Sequence, residues 1–110
     1  MNWNIINSIA DIEAIKVKSA EVPCLIFKHS TTCSISVMTK SRLEKTWDIE
    51  ASELVPYYLD LLSYRAVSNY ISETFDVHHE SPQALVIVGG DCVYDESHLD
   101  IKVSGLKEFV

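Results

Sequence analysis

Residues 23–36 read PCLIFKHSTTCSIS, and this stretch decides the fold. Its first five residues are almost wholly apolar, which is typical of a short strand buried on both faces of a parallel sheet. The polar residues 28–32 interrupt this run, and from Cys33 to Trp47 the apolar residues recur roughly on one helical face. The stretch therefore predicts a buried strand, a polar loop and a helix that begins at Cys33.

Strand and helix patterns alternate on both sides of this stretch. The predicted elements are strands at 3–6, 23–27, 55–62, 84–88 and 92–94, and helices at 9–18, 33–47, 67–75 and 98–109. Ser8 and Asp11 have the spacing of a capping box at the first helix, and Gly89-Gly90 is a hairpin signal. Alternation that ends in a hairpin and a helix predicts one α/β domain over 1–110, with a mixed central sheet of four to five strands and helices on both faces.

The charge of the chain excludes some classes of partner. The net charge is −7, with nine Lys and Arg residues against sixteen Asp and Glu residues, so a nucleic-acid partner, which needs a basic face, is not expected. No run approaches the ~20 apolar residues of a membrane span, and residues 1–6 lack the pattern of a signal peptide. We expect a cytoplasmic protein that binds no membrane.

The cysteines point to thiol chemistry rather than to a disulfide framework or a metal site. Cys24, Cys33 and Cys92 form no Cys-x-x-Cys pair, and thiols are kept reduced in the cytosol. The four histidines show no ligand spacing that would combine them with the cysteines. We expect no metal ligand, a core position for Cys24 and a structural or incidental role for Cys92.

Cys33 is the candidate nucleophile. A thiolate at the start of a helix faces unpaired backbone N–H groups and the positive end of the helix dipole, which stabilise it for disulfide exchange. A dithiol enzyme would have its second cysteine three residues later, where this chain has Ser36. Cys33 would therefore form a mixed disulfide with a small thiol or with a partner protein. The alternative is a buried cysteine that acts as a small apolar side chain.

Three segments carry a family resemblance. They are FKHSTTCSIS (27–36), HESPQ (79–83) and SHLDI (97–101). In content and order they resemble the monothiol bacilliredoxins, small thioredoxin-like proteins of bacteria that use bacillithiol. The family motif reads Lys-His-Ser-Thr-x-Cys-Pro-Ile-Ser, so Ser34 stands where the family usually has proline. Proline in the first turn of a helix lacks an N–H, and Ser34 restores that N–H close to the sulfur.

The resemblance implies a thioredoxin-like fold with Cys33 as its single catalytic residue. The expected substrates are protein mixed disulfides of bacillithiol or a similar small thiol, and the expected partners are S-thiolated client proteins. No resident cofactor is expected, because the low-molecular-weight thiol acts as a co-substrate. Thr32, Ser34 and Ser36, beside Cys33, are the nearest candidate substrate contacts.

Pro82 is the second feature that the resemblance marks. In the wider thioredoxin pattern, a cis proline before an apolar strand faces the active cysteine. The resemblance therefore implies that Ser81–Pro82 is cis and lies against the Cys33 loop, with the backbone of Ser81 free to pair with an extended client segment. The alternative is a trans proline that only marks the first residue of a strand.

Ser97 and His98 are further binding candidates. Ser97 and Asp100 repeat the capping pattern, which predicts a helix N-terminus near residue 98, and such termini bind anions. In the related glutaredoxins the corresponding helix start contacts the acidic end of glutathione, so the resemblance implies that Ser97 and His98 hold a carboxylate of the small thiol. The alternative is that Ser97 only caps the helix and His98 lies in solvent.

Two other functions remain open at this point. One is a non-catalytic thioredoxin-like binding module in which Cys33 is merely oxidisable. The other is an iron–sulfur carrier like the monothiol glutaredoxins, which is disfavoured because their Cys-Gly-Phe-Ser motif is absent.

Overall fold

The three apolar runs of the sequence become neighbouring strands. The computed structural model describes residues 1–110. Its strands are β1 (Asn4–Ile6), β2 (Cys24–His29), β3 (Val55–Asp60), β4 (Gln83–Val88) and β5 (Asp91–Ser97), and its helices are α1 (Ile9–Lys18), α2 (Ser34–Thr46), α3 (Arg65–Phe75) and α4 (Val103–Leu106). The strands form one sheet in the order β1-β3-β2-β4-β5. The predicted mixed sheet is confirmed.

β2 lies at the centre of the sheet, parallel to β3 and antiparallel to β4. All six of its residues are buried. The strand ends two residues later than predicted, because Lys28 and His29 belong to the sheet and not to the polar loop. Lys28 pairs with Leu59 of β3 and with Gln83 of β4. Residues after the carboxyl end of β2 therefore share one edge of the sheet with residues just before β4.

Helices cover both faces of the sheet, as predicted. One apolar cluster joins the sheet to α1 and α3, and its helical members are Ile12, Ile15, Val67, Ile71 and Phe75. A second cluster joins the opposite face to α2 and α4, and its helical members are Leu43, Val103 and Leu106. Side chains of a strand alternate between the two faces, so each central strand contributes to both clusters.

Local signals in the sequence account for the start of α1 and for the hairpin. The Ser8 side chain accepts a hydrogen bond from the Asp11 N–H, and the Asp11 carboxylate accepts from the Ser8 N–H at 3.1 Å. The predicted capping box is therefore confirmed. Gly89 and Gly90, with φ of 59° and 84°, connect β4 to β5. A two-residue turn with positive φ at both positions matches the twist of the strands and favours glycine.

The predicted helix over 98–109 is wrong. The segment forms a 3₁₀ turn at His98–Asp100, the single α-helical turn of α4 and a second 3₁₀ turn at Lys107–Phe109. Ser97 makes no capping hydrogen bond with its side chain, and His98 has a φ of 56°. A positive φ is incompatible with the start of a right-handed helix. None of the helices combines the length and the apolar character that a membrane span requires.

Replacing Ser8 with Ala is expected to lower the free energy of unfolding by about 1 kcal/mol, because the cap acceptor of α1 is lost. Urea denaturation of both proteins measures the difference. Ser52→Ala changes an exposed serine in a turn and is the control. Equal stability of the Ser8 variant and the wild type would contradict a stabilising capping box.

Candidate active site around Cys33

Cys33 lies between the end of β2 and the first residue of α2. It is half-buried, occupies the N-cap position with φ of −99° and ψ of 118°, and its thiol makes no capping hydrogen bond. Its backbone is fixed on both sides: the Cys33 N–H donates to the Ser30 carbonyl at 3.2 Å, and the Cys33 carbonyl accepts from the Val37 N–H at 3.0 Å. The sulfur is therefore held at the positive end of α2.

An open groove of about 710 Å³ begins at Cys33 and follows the exposed side of α2. Its lining residues are Thr31, Thr32, Cys33, Ser34, Val37, Met38, Ser41, Arg42, Lys45 and Thr46. The two charged residues among them, Arg42 and Lys45, are both basic, although the chain as a whole has a net charge of −7. Because no carboxylate lines this groove, it favours an anionic ligand beside the thiol.

Ser36, at the position where a dithiol enzyme has its second cysteine, is fully buried. Its hydroxyl accepts a hydrogen bond from the Ser30 N–H at 3.0 Å and lies 2.7 Å from Nδ1 of His29. Burial lowers the pKa of His29 below its usual value, with a further lowering by the positive charge of Lys40. With His29 neutral, the Ser36 hydroxyl can donate to Nδ1, and all three groups are then satisfied. Ser36 thus anchors α2 to β2 and does not face the groove.

The Ser81–Pro82 peptide bond is cis, as predicted. Pro82 is buried and directly precedes β4, so it lies at the same sheet edge as the end of β2. Its carbonyl accepts from the His98 N–H at 3.0 Å, and the His98 carbonyl accepts from Thr39 Oγ1 at 3.4 Å. These two bonds connect Pro82 to α2, although Pro82 does not line the groove of Cys33.

Ser97 and His98 have surroundings that do not suit a carboxylate. Nε2 of His98 lies 3.6 Å from the Glu80 carboxylate, and the Ser97 N–H donates to the Glu96 side chain at 3.1 Å. The helix N-terminus that motivated the predicted anion site is also absent. Binding of the small thiol by Ser97 and His98 stays a prediction, but its structural basis is lost.

Burial disfavours the thiolate form of the other two cysteines. Cys24 is fully buried, and this burial raises the pKa of its thiol to about 11. Burial also raises the pKa of Cys92. All three thiols are free, and the prediction that Cys24 belongs to the core is confirmed.

Sequence reasoning missed two residues of this region, Lys28 and His29. Their polarity predicts a loop, whereas both are buried in β2, with exposures of 0% and 4%. Their signal was positional: they continue an apolar strand without a turn residue between them. His29 contacts Ser36 on one face of the sheet, and Lys28 contacts Ser72 and His79 on the other.

Comparison with known proteins assigns the chain to a family. The sequence model described as "Monothiol bacilliredoxin BrxC" matches residues 4–106. This chain belongs to the monothiol bacilliredoxin family. The family match confirms the resemblance that the Cys33, Pro82 and Ser97 segments indicated.

Solved structures show that this bacilliredoxin has the thioredoxin fold. One solved structure is described as that of a candidate oxidoreductase with a thioredoxin fold. It is 33% identical to this chain, the match covers 94% of this chain and 89% of the other, and the TM-score is 0.80. Thioredoxin from Malassezia sympodialis is 16% identical, with coverage of 97% and 86% and a TM-score of 0.76. Thioredoxin from Fasciola hepatica is 16% identical, with coverage of 96% and 93% and a TM-score of 0.73. Family and fold together support a thiol redox role.

We expect iodoacetamide at neutral pH to label Cys33 before Cys92 and Cys24. Cys33 is half-exposed at a helix N-terminus, whereas burial raises the pKa of the other two thiols, and only the thiolate reacts. Peptide mass spectrometry over a time course measures the order. Cys33→Ser is the control and should leave only slow labelling. Equal rates at Cys33 and Cys92 would contradict the prediction.

Proposed function

We propose that this bacilliredoxin is a monothiol thiol–disulfide oxidoreductase that removes a low-molecular-weight thiol, such as bacillithiol, from protein mixed disulfides through Cys33. The observation that carries the proposal is that a half-exposed Cys33 at the start of α2 has a serine, Ser36, at the second-cysteine position. The site thus has a nucleophile but no internal thiol to displace the adduct. A monothiol cycle with an external thiol follows from this arrangement.

The reaction balances as two exchanges. The Cys33 thiolate attacks the sulfur of the small thiol in the mixed disulfide; a new S–S bond forms, the old one breaks, and the client leaves as a thiolate that takes a proton from water. A second molecule of the small thiol, as thiolate, then attacks the adduct on Cys33. The products are the symmetric disulfide of the small thiol and the Cys33 thiolate. No resident cofactor takes part, and we place the cycle in the cytoplasm, where small thiols are kept reduced.

The groove along α2 supports a small anionic thiol as co-substrate. Bacillithiol carries carboxylates, and the charged side chains of the groove, Arg42 and Lys45, are basic. Arg42 is fixed in place because its guanidinium donates to the carbonyls of Leu99 and Ile101. Its positive charge is therefore available at a defined position without a carboxylate partner.

The decisive experiment follows the mass of the intact protein. Reduced wild-type protein and Cys33→Ser are each incubated with a protein that carries bacillithiol, glutathione or coenzyme A as its mixed disulfide. The wild type is expected to gain the mass of one small thiol at Cys33 while the client loses it, and Cys33→Ser is expected to gain nothing. Transfer of one thiol class only would identify the co-substrate. Failure of transfer from all three clients would contradict the proposed function.

Replacing Ser36 with Cys is expected to convert the reaction from monothiol to dithiol. The introduced thiol would lie one helical turn from Cys33 and could displace the small thiol from it, so the mixed adduct should not accumulate. Intact mass would then show an internal disulfide, two hydrogens lighter than the reduced protein. Ser36→Ala is the matched control, in which the adduct on Cys33 should persist. Persistence of the adduct in Ser36→Cys as well would contradict this prediction.

A further inference from the structure

Lys28 is fully buried near the carboxyl end of the central strand β2, with an exposure of 0%. Lysine is almost never fully buried unless its charge is paired. The polar partners of Nζ are Nδ1 of His79 at 2.7 Å and, more weakly, Oγ of Ser72 at 3.5 Å. No carboxylate forms an ion pair with Lys28. Burial of the Lys28 ammonium without a carboxylate partner costs folding free energy, which suggests that the residue has a role other than stability.

The contact between Lys28 and His79 allows only some protonation states. A lysine ammonium can donate to Nδ1 only if that nitrogen is unprotonated. Burial lowers the pKa of Lys28 to about 8, so the ammonium still predominates at neutral pH. Burial and then the nearby Lys28 charge lower the pKa of His79, which keeps the imidazole neutral. Protonation of His79 would remove the acceptor and place two cations 2.7 Å apart.

His79 belongs to the segment that carries the cis proline. Residues 76–82 connect α3 to β4, and Ser81 and Pro82 are the last residues of this loop. A second side-chain anchor of the loop is buried Gln83, whose amide donates to the His78 carbonyl at 2.9 Å. Gln83 pairs with Lys28 across the sheet. Lys28 thus connects the strand that leads to Cys33 with the loop that carries Pro82.

We propose that Lys28 is a positioning residue that holds the 76–82 loop through His79, so that the Ser81–Pro82 edge is preformed for a client chain beside Cys33. This inference rests on the proposed exchange reaction and adds to it a determinant of protein substrates. A small disulfide needs only the thiol of Cys33, whereas an extended client segment also needs the backbone edge of the loop. Loss of the contact should therefore slow exchange with protein disulfides selectively.

The charged groups around His79 come from three elements. Lys28 faces it from β2, Arg65 acts on it from α3, and His78 and Glu80 flank it in the loop. Glu80 is the single anion among them and also lies 3.6 Å from His98. The other groups are basic, so acidification should release the loop as His79 gains a proton, below the ordinary histidine pKa of about 6.5.

The first test compares two exchange rates in each variant: with a bacillithiol mixed disulfide of a protein and with the symmetric bacillithiol disulfide. Their ratio cancels any change in the reactivity of the Cys33 thiol, because such a change affects both rates. Lys28→Met and His79→Ala are expected to lower the ratio about tenfold at neutral pH, the effect of losing one charge-assisted hydrogen bond. His78→Ala alters the adjacent histidine, which does not contact Lys28, and is the matched control with an unchanged ratio.

The second test uses acidification. In the wild type the ratio should fall as the pH drops below about 6.5. His79→Asn keeps an acceptor near the position of Nδ1 but cannot be protonated, so it should retain the ratio at neutral pH and lose the acid dependence. His78→Asn should keep the wild-type profile. An acid fall that persists in His79→Asn would overturn the assignment to this contact.

A third measurement separates this inference from the proposed function and from simple misfolding. Amide hydrogen exchange of residues 77–81 should be faster in Lys28→Met than in the wild type, while the melting temperature should stay equal or rise, because an unpaired buried charge has been removed. If the wild type reacted with no protein disulfide, the proposed function would be contradicted. The amide hydrogen exchange of the loop would still test the contact between Lys28 and His79. A working wild type whose ratio and loop protection are unchanged by Lys28→Met would overturn the role of Lys28.

Discussion

Complete burial of β2 is the constraint on which the rest of the structure depends. The strand has a hydrogen-bonded neighbour on each side, yet it ends in two polar residues, Lys28 and His29. Buried polar groups must find hydrogen-bond partners. Successive side chains of a strand point to opposite faces. His29 therefore contacts Ser36 of α2 on one face, and Lys28 contacts His79 on the other.

These two contacts connect the two halves of the site. Ser36 fixes the first turn of α2, and with it the backbone that presents Cys33. His79 belongs to the loop that presents Pro82. The strand therefore positions Cys33 and the Pro82 loop by the same physical requirement, the satisfaction of a buried polar side chain. The contact between His29 and Ser36 pairs two neutral groups. The contact between Lys28 and His79 buries a cation, which costs more free energy.

The electrostatic field of the site differs from that of the whole chain. Sixteen acidic residues against nine basic ones favour solubility and repel anions at long range. The groove beside Cys33 has the opposite charge to the chain as a whole, since it contains Arg42 and Lys45 and no carboxylate. The region of His98 has no such excess of positive charge, because the Glu80 carboxylate lies beside it. This contrast shifts the expected position of an anionic thiol from the His98 turn to the exposed side of α2.

The sequence by itself determined the order of the five strands and the first three helices, the start of α1 at its capping box and the hairpin at Gly89-Gly90, because periodicity, caps and turns are encoded locally. It also indicated Cys33 as the candidate nucleophile. It did not determine the end of the chain, where a helix pattern over 98–109 gives way to short turns that pack on α2 through His98 and Arg42. Only the tertiary structure decided that Lys28 and His29 are buried and what each contacts. Their partners are 51 and 7 residues away along the chain, and no local signal reports a contact made by packing.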